Sequence, residues 1–172
     1  MRNGAVLAAL GLLVACADEK KADNQARVTL HRLSGTTFEL VPSEKQHPNC
    51  LVFTISANGV IRQLTMSREN VSYACPAGKP IGGHSYRVPL DEGTVKVHTL
   101  FSSQRVNAAS IAQQLLDLRD RPQISSIDLR LPGQAAIETI SFTPEADAPP
   151  PLGGLVGTDG VPAPAATDAG SP

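Results

Sequence analysis

His47, Cys50, Cys75 and His84 are the side chains of this 172-residue chain best suited to chemistry. His47 and Cys50 form a tight His-x-x-Cys pair, and two imidazoles with two thiolates would satisfy zinc or copper. The Cys75–His84 spacing is looser, and a thiol pair outside the cytoplasm is readily oxidised, so the simpler reading is a Cys50–Cys75 disulfide, with the metal site as its alternative. Such a bond would remove about 3.5 kcal/mol of unfolded-state entropy. Other patterns fall short of a reaction centre. Gly83-His84-Ser85-Tyr86-Arg87 has Arg87 where a nucleophile elbow has its second glycine, and no helical pattern follows. Gly78-Lys79-Pro80 puts proline where a phosphate loop needs a hydroxyl. Asp91 and Glu92 lack the cleft aromatics of a glycosidase and are expected as solvated turn residues. His31, His47, His84 and His98 are scattered, and each is expected on an exposed or strand surface. The chain is therefore expected to be no enzyme and to need no cofactor.

The elements that would carry these residues are mostly strands. Between Arg27 and Thr143 the apolar residues recur with period two. Val28–Leu30 and Thr36–Leu40 suggest a hairpin through Ser34-Gly35, and Leu51–Ile55 and Val60–Met66 flank Asn58-Gly59. Ser85–Val88 and Thr94–Thr99 flank a turn at Asp91-Glu92-Gly93, Ile127–Leu131 alternates, and Ile137–Phe142 reads as the last strand. A helix is expected near 107–120. Asn107 can cap it, Val106 and Ile111 have the spacing of a hydrophobic staple, and Ala108, Ile111, Leu115 and Leu118 share one face before Pro122. The expected class is α+β, mostly antiparallel: a sandwich or a partly open barrel of roughly eight strands with one amphipathic helix. In a simple meander, Val71–Cys75 would run parallel to Leu51–Ile55 and leave Cys75 too far from Cys50. The disulfide therefore calls for this segment to cross to another sheet.

Composition narrows the function. Fifteen Lys and Arg against sixteen Asp and Glu give a net charge of -1, which indicates neither nucleic acid binding nor a polybasic membrane patch. With 3% aromatic residues and no Trp, stacking platforms for bases or sugars are not expected. No Lys or Arg follows Arg130, and residues 145–172, rich in Pro, Ala and Gly, read as a disordered acidic tail.

The N-terminus carries the most specific signal. Arg2 precedes an apolar run from Ala5 to Val14, too short to span a bilayer, and the run ends in Leu13-Val14-Ala15-Cys16. This segment resembles the lipobox of bacterial lipoprotein signal peptides. The resemblance implies that residues 1–15 are removed, that Cys16 takes a diacylglyceryl group, and that its freed amine is acylated. Several acyl chains give stable anchoring where one gives weak anchoring. Ala17 occupies the place where Asp would favour retention in the inner membrane, so the resemblance points to the outer membrane. Residues 16–26 would be the lipidated cysteine and a flexible tether, 27–144 the β-rich domain. The Pro/Ala/Gly tail and small β domain look similar, in composition alone, to accessory lipoproteins of secretion, surface-assembly or gliding-motility machinery. The expected function is a non-enzymatic interaction role with an envelope protein partner. The alternative is a periplasmic ligand- or metal-binding lipoprotein.

Overall fold

The computed structural model describes residues 26–147. Eight strands and one α-helix follow in the order β1 (Val28–Arg32), β2 (Thr37–Pro42), β3 (Asn49–Ser56), β4 (Ile61–Gln63), β5 (Tyr73–Ala74), β6 (Tyr86–Arg87), β7 (Val95–Ser102), α1 (Ala108–Leu118) and β8 (Ala135–Phe142). They form two antiparallel sheets, β1-β2-β6 and β4-β3-β7-β8, with β5 also paired to β3. The small sheet covers one face of the larger one and α1 covers the other. The class is the expected α+β, and of the two expected arrangements it is the sandwich: among the described residues no barrel closes.

β3 and β7 are central and buried on both faces, which explains why their sequences read as nearly continuous apolar runs. Alternation then sorts their side chains into two cores. Cys50, Val52, Val97 and Phe101 point to the small sheet and meet Phe38, Leu40, Tyr86 and Phe142. Leu51, Phe53, Ile55 and Leu100 point to α1 and meet Ile111, Leu115, Ile124 and Leu129. The helix is capped as its sequence suggests: the Asn107 side chain accepts a hydrogen bond from the Ser110 amide at 3.2 Å.

Four local readings are corrected. First, the expected Asn58-Gly59 hairpin forms, with β3 paired to β4, but its turn is not the two-residue kind that Asn-Gly favours. Ser56 N–H donates to Val60 O at 3.0 Å around a three-residue loop, and only Gly59 of the pair takes a positive φ, 74°. Second, the strand expected over 60–66 breaks early. The Thr65 hydroxyl accepts from Val52 N–H at 3.0 Å, taking the place of a backbone carbonyl, and the chain loops out. It resumes as β5 on the same edge of β3 and in the same direction as β4. No crossing to another sheet is needed to bring Cys75 beside Cys50, because this excursion replaces the reversal of a meander.

Third, β6 and β7 belong to different sheets, so the turn at Leu90–Glu92 links the two layers and does not close a hairpin. Fourth, Ile127–Leu131 is not a strand. Ser125 and Asp128 form a capping box that closes a 3₁₀ turn over Ser126–Asp128, and Ile127 is 93% exposed. The side-chain bonds offer this backbone an alternative to the ladder. Leu129 still packs under α1.

Candidate functional site

Cys50 and Cys75 are bonded, with Cα atoms 5.9 Å apart, and both are buried at the end of the inter-sheet core. Pairing of Asn49 with Ala74 and Cys50 with Tyr73 places them, and the Cys75 amide donates to Pro48 O at 2.8 Å. Both sulfurs are thus committed to each other and offer no thiolate. The tetrad of His47, Cys50, Cys75 and His84 is not assembled, and among the described residues no three His, Cys, Asp or Glu side chains group as metal ligands. His84 Nδ1 is hydrogen-bonded to the Gly82 carbonyl at 2.9 Å, and its ring meets the edge of Tyr86. Ser85 is exposed at the start of β6 with no helix behind it, so the strained turn of a nucleophile elbow is not formed.

Two polar residues depart from the surface roles that the sequence suggests. His98 is 2% exposed on β7, under the helix layer, hydrogen-bonded through Nδ1 to the Thr139 hydroxyl at 2.9 Å. Its Nε2 has no partner among the described residues. Burial, and secondarily the charge of Lys96, lowers its pKa to about 4, so it is neutral near pH 7. Glu92 is buried as well, against Arg62, which donates to it from β4 across the layer junction. Its neighbour Asp91 is exposed, as expected. Neither burial was legible locally: His98 occupies one alternating position of a strand whose two faces are both covered, and Glu92 lies at a turn that joins two sheets.

A groove of about 590 Å³ lies along β5, lined by Ser67, Arg68, Glu69, Tyr73 and Arg105 among others. Its neutral polar groups hold the 64–72 excursion in place. The Ser67 hydroxyl bridges Val71 N–H and C=O, each at 2.9 Å, and the Tyr73 hydroxyl donates to Met66 O. The charged groups Arg68, Arg105 and Glu69 remain at the solvent side. An apolar groove of about 480 Å³ runs on the outside between α1 and β4, with Ile61, Ala112 and Leu116 in its walls.

The two ends of the described chain are at opposite poles. Ala26 and Arg27 sit at the open end of the β1–β2 hairpin, where Ser43 N–H donates to Arg27 O at 2.9 Å. Glu145 and Asp147 sit at its turn. Glu145 N–H donates to Gly35 O at 2.8 Å, and the Asp147 carboxylate accepts from Gly35 N–H at 2.5 Å. A Cβ on residue 35 would lie 2.1 Å from the Glu145 carbonyl, so glycine is required for this contact. The tail expected from 145 thus begins with residues pinned to the domain. Cys16, the signal 1–15, most of the tether and residues 148–172 lie outside the described residues.

No family of known proteins, no curated protein and no solved structure matches this chain.

Proposed function

We propose that this protein is a lipid-anchored component of the bacterial cell envelope, held by acyl chains on Cys16. Its role is non-enzymatic: it serves an envelope assembly, of the secretion, surface or motility kind, by contact with a protein partner. The observation that carries this reading is the lipobox Leu13-Val14-Ala15-Cys16. The buried Cys50–Cys75 disulfide supports it, because structural disulfides persist in oxidising compartments outside the cytoplasm. The opposed chain ends support it too, since they let one end be tethered while the rest of the surface stays open to a partner.

The test is the mass of the protein expressed in a bacterium and extracted from membranes. The expected N-terminal peptide begins at Cys16 and carries acyl groups, and Cys16→Ser abolishes that mass. A chain beginning elsewhere, or an unmodified Cys16, overturns the anchor. Density separation of the membranes reads the outer-membrane assignment. Capture after brief in-cell crosslinking tests the assembly role. One or two stoichiometric envelope proteins, lost with Cys16→Ser, are expected, and recovery of abundant bystanders alone counts against the role.

A further inference from the structure

Whole-chain charge is nearly balanced, yet the fold gathers cations around the point where the chain enters the domain. Arg27 reaches from that point to the Gln46 side chain at 3.1 Å, beside exposed Lys45. Gly78 N–H donates to Pro42 O at 2.9 Å, which brings exposed Lys79 to the same turn. None of these three cations forms an ion pair with a described residue. Arg68 and Arg105 line the β5 groove, which the pairing of β5 with Asn49 and Cys50 places at this end, and Arg105 lies 3.9 Å from Glu69. The pole thus holds five cations, Arg27, Lys45, Arg68, Lys79 and Arg105, against two carboxylates, Glu44 and Glu69, although residues 26–147 together hold twelve against eleven.

We propose that this pole seats on anionic phospholipid headgroups. The inference rests on the reading that Cys16 is the anchor, and it adds an orientation to that reading. Between Cys16 and Ala26 the chain can span at most about 35 Å, so an anchored domain stays within reach of the headgroups. The tether supplies no net positive charge itself, with Asp18, Glu19 and Asp23 against Lys20 and Lys21. Attraction must therefore come from the folded pole, and each cation near an anionic surface raises partitioning about fivefold. Seated this way, the domain holds Gly35, Glu145 and Asp147 roughly 25 Å farther out, the length of the β1–β2 hairpin. The segment from 148 onward then starts on the side facing away from the bilayer.

The purified acylated full-length chain is reconstituted into phosphatidylcholine vesicles with or without 30% phosphatidylglycerol. Acetylation rates of Lys45, Lys79 and Lys96 are read by mass, each against its own rate in pure phosphatidylcholine. Lys45 and Lys79 are expected to be protected several-fold by phosphatidylglycerol at low salt and not at high salt, while Lys96 does not change. Arg27→Gln combined with Lys79→Gln should weaken the protection of Lys45. Equal rates in both vesicles, or protection of Lys96 instead, overturn the inference. Failure of the anchor is seen separately, as a chain without acyl mass that does not float with phosphatidylcholine. The pole is then read by flotation of that chain with phosphatidylglycerol vesicles at low salt, and no flotation overturns it.

Discussion

The two faces of the β3–β7 pair bury similar aliphatic side chains but are closed by different means. Toward the small sheet, the core is aromatic and covalently stapled. Phe38 lies 4.7 Å from Phe142 and 5.9 Å from Tyr86, ring centre to ring centre, and Cys50–Cys75 closes one end. The buried Tyr86 hydroxyl is satisfied by Ile81 O at 2.8 Å, and burial holds its pKa above the ordinary range. Toward α1, the cover is a helix of 11 residues followed by an irregular stretch, and the layer contains His98, whose Nε2 has no partner among the described residues. A helix that short is marginal alone and owes its stability to packing. Equal burial does not mean equal security. The helix face should be the one that opens first.

The largest effect should come from the aromatic core. Phe38→Ala is expected to cost about 3–5 kcal/mol in denaturant unfolding, from lost transfer energy and the cavity left behind. Leu115→Ala should cost about 2–5 kcal/mol, and amide exchange of Ala108–Leu118 should then rise ahead of that of β1 and β2. Simultaneous exchange of both layers would erase the distinction between the faces. Replacing both Cys50 and Cys75 by Ala is next, with an expected loss of about 3.5 kcal/mol. If the midpoint hardly moves, the staple is not what secures the inter-sheet face.

Acid should act on the other face. His98 has its pKa lowered to about 4 in the fold against 6.5 when unfolded, so the unfolded chain binds more protons between these values. Stability is full above pH 6.5 and falls by about 3 kcal/mol as the pH drops to 4. His98→Leu should flatten this part of the stability profile. The same slope in the variant would assign it elsewhere. Below that window Asp128 contributes in the same direction. Its pKa is lowered, first by the Ser125 hydroxyl, then by the Ser125 amide and Arg121. Asn107→Ala, which removes the cap, should cost only about 1 kcal/mol, read as faster exchange confined to the start of α1.

Legibility in the sequence followed the range of the forces involved. The helix read at 107–120 is observed at Ala108–Leu118, because capping and a 3.6-residue stripe are local. The β1–β2 hairpin was legible for the same reason. Ile127–Leu131 alternated like a strand, but alternation cannot show whether a partner edge exists, and the Ser125–Asp128 bonds took the backbone first. The Cys50–Cys75 pair was readable as a disulfide from its number and setting. The path that joins it was not, because the Thr65 hydroxyl that replaces a ladder carbonyl has no signature in one dimension.

By itself, the amino-acid sequence determined the charge balance, the β period and the capped helix, all of which depend on residue type and short spacing, and it made a Cys50–Cys75 disulfide the simpler of two readings. Tertiary structure alone decided which face each strand residue serves. It also decided that His98 and Glu92 are buried, and that Arg27, Lys45 and Lys79 share a pole. Burial and charge clustering arise when segments distant in the chain pack together, and spacing along the chain does not encode that proximity.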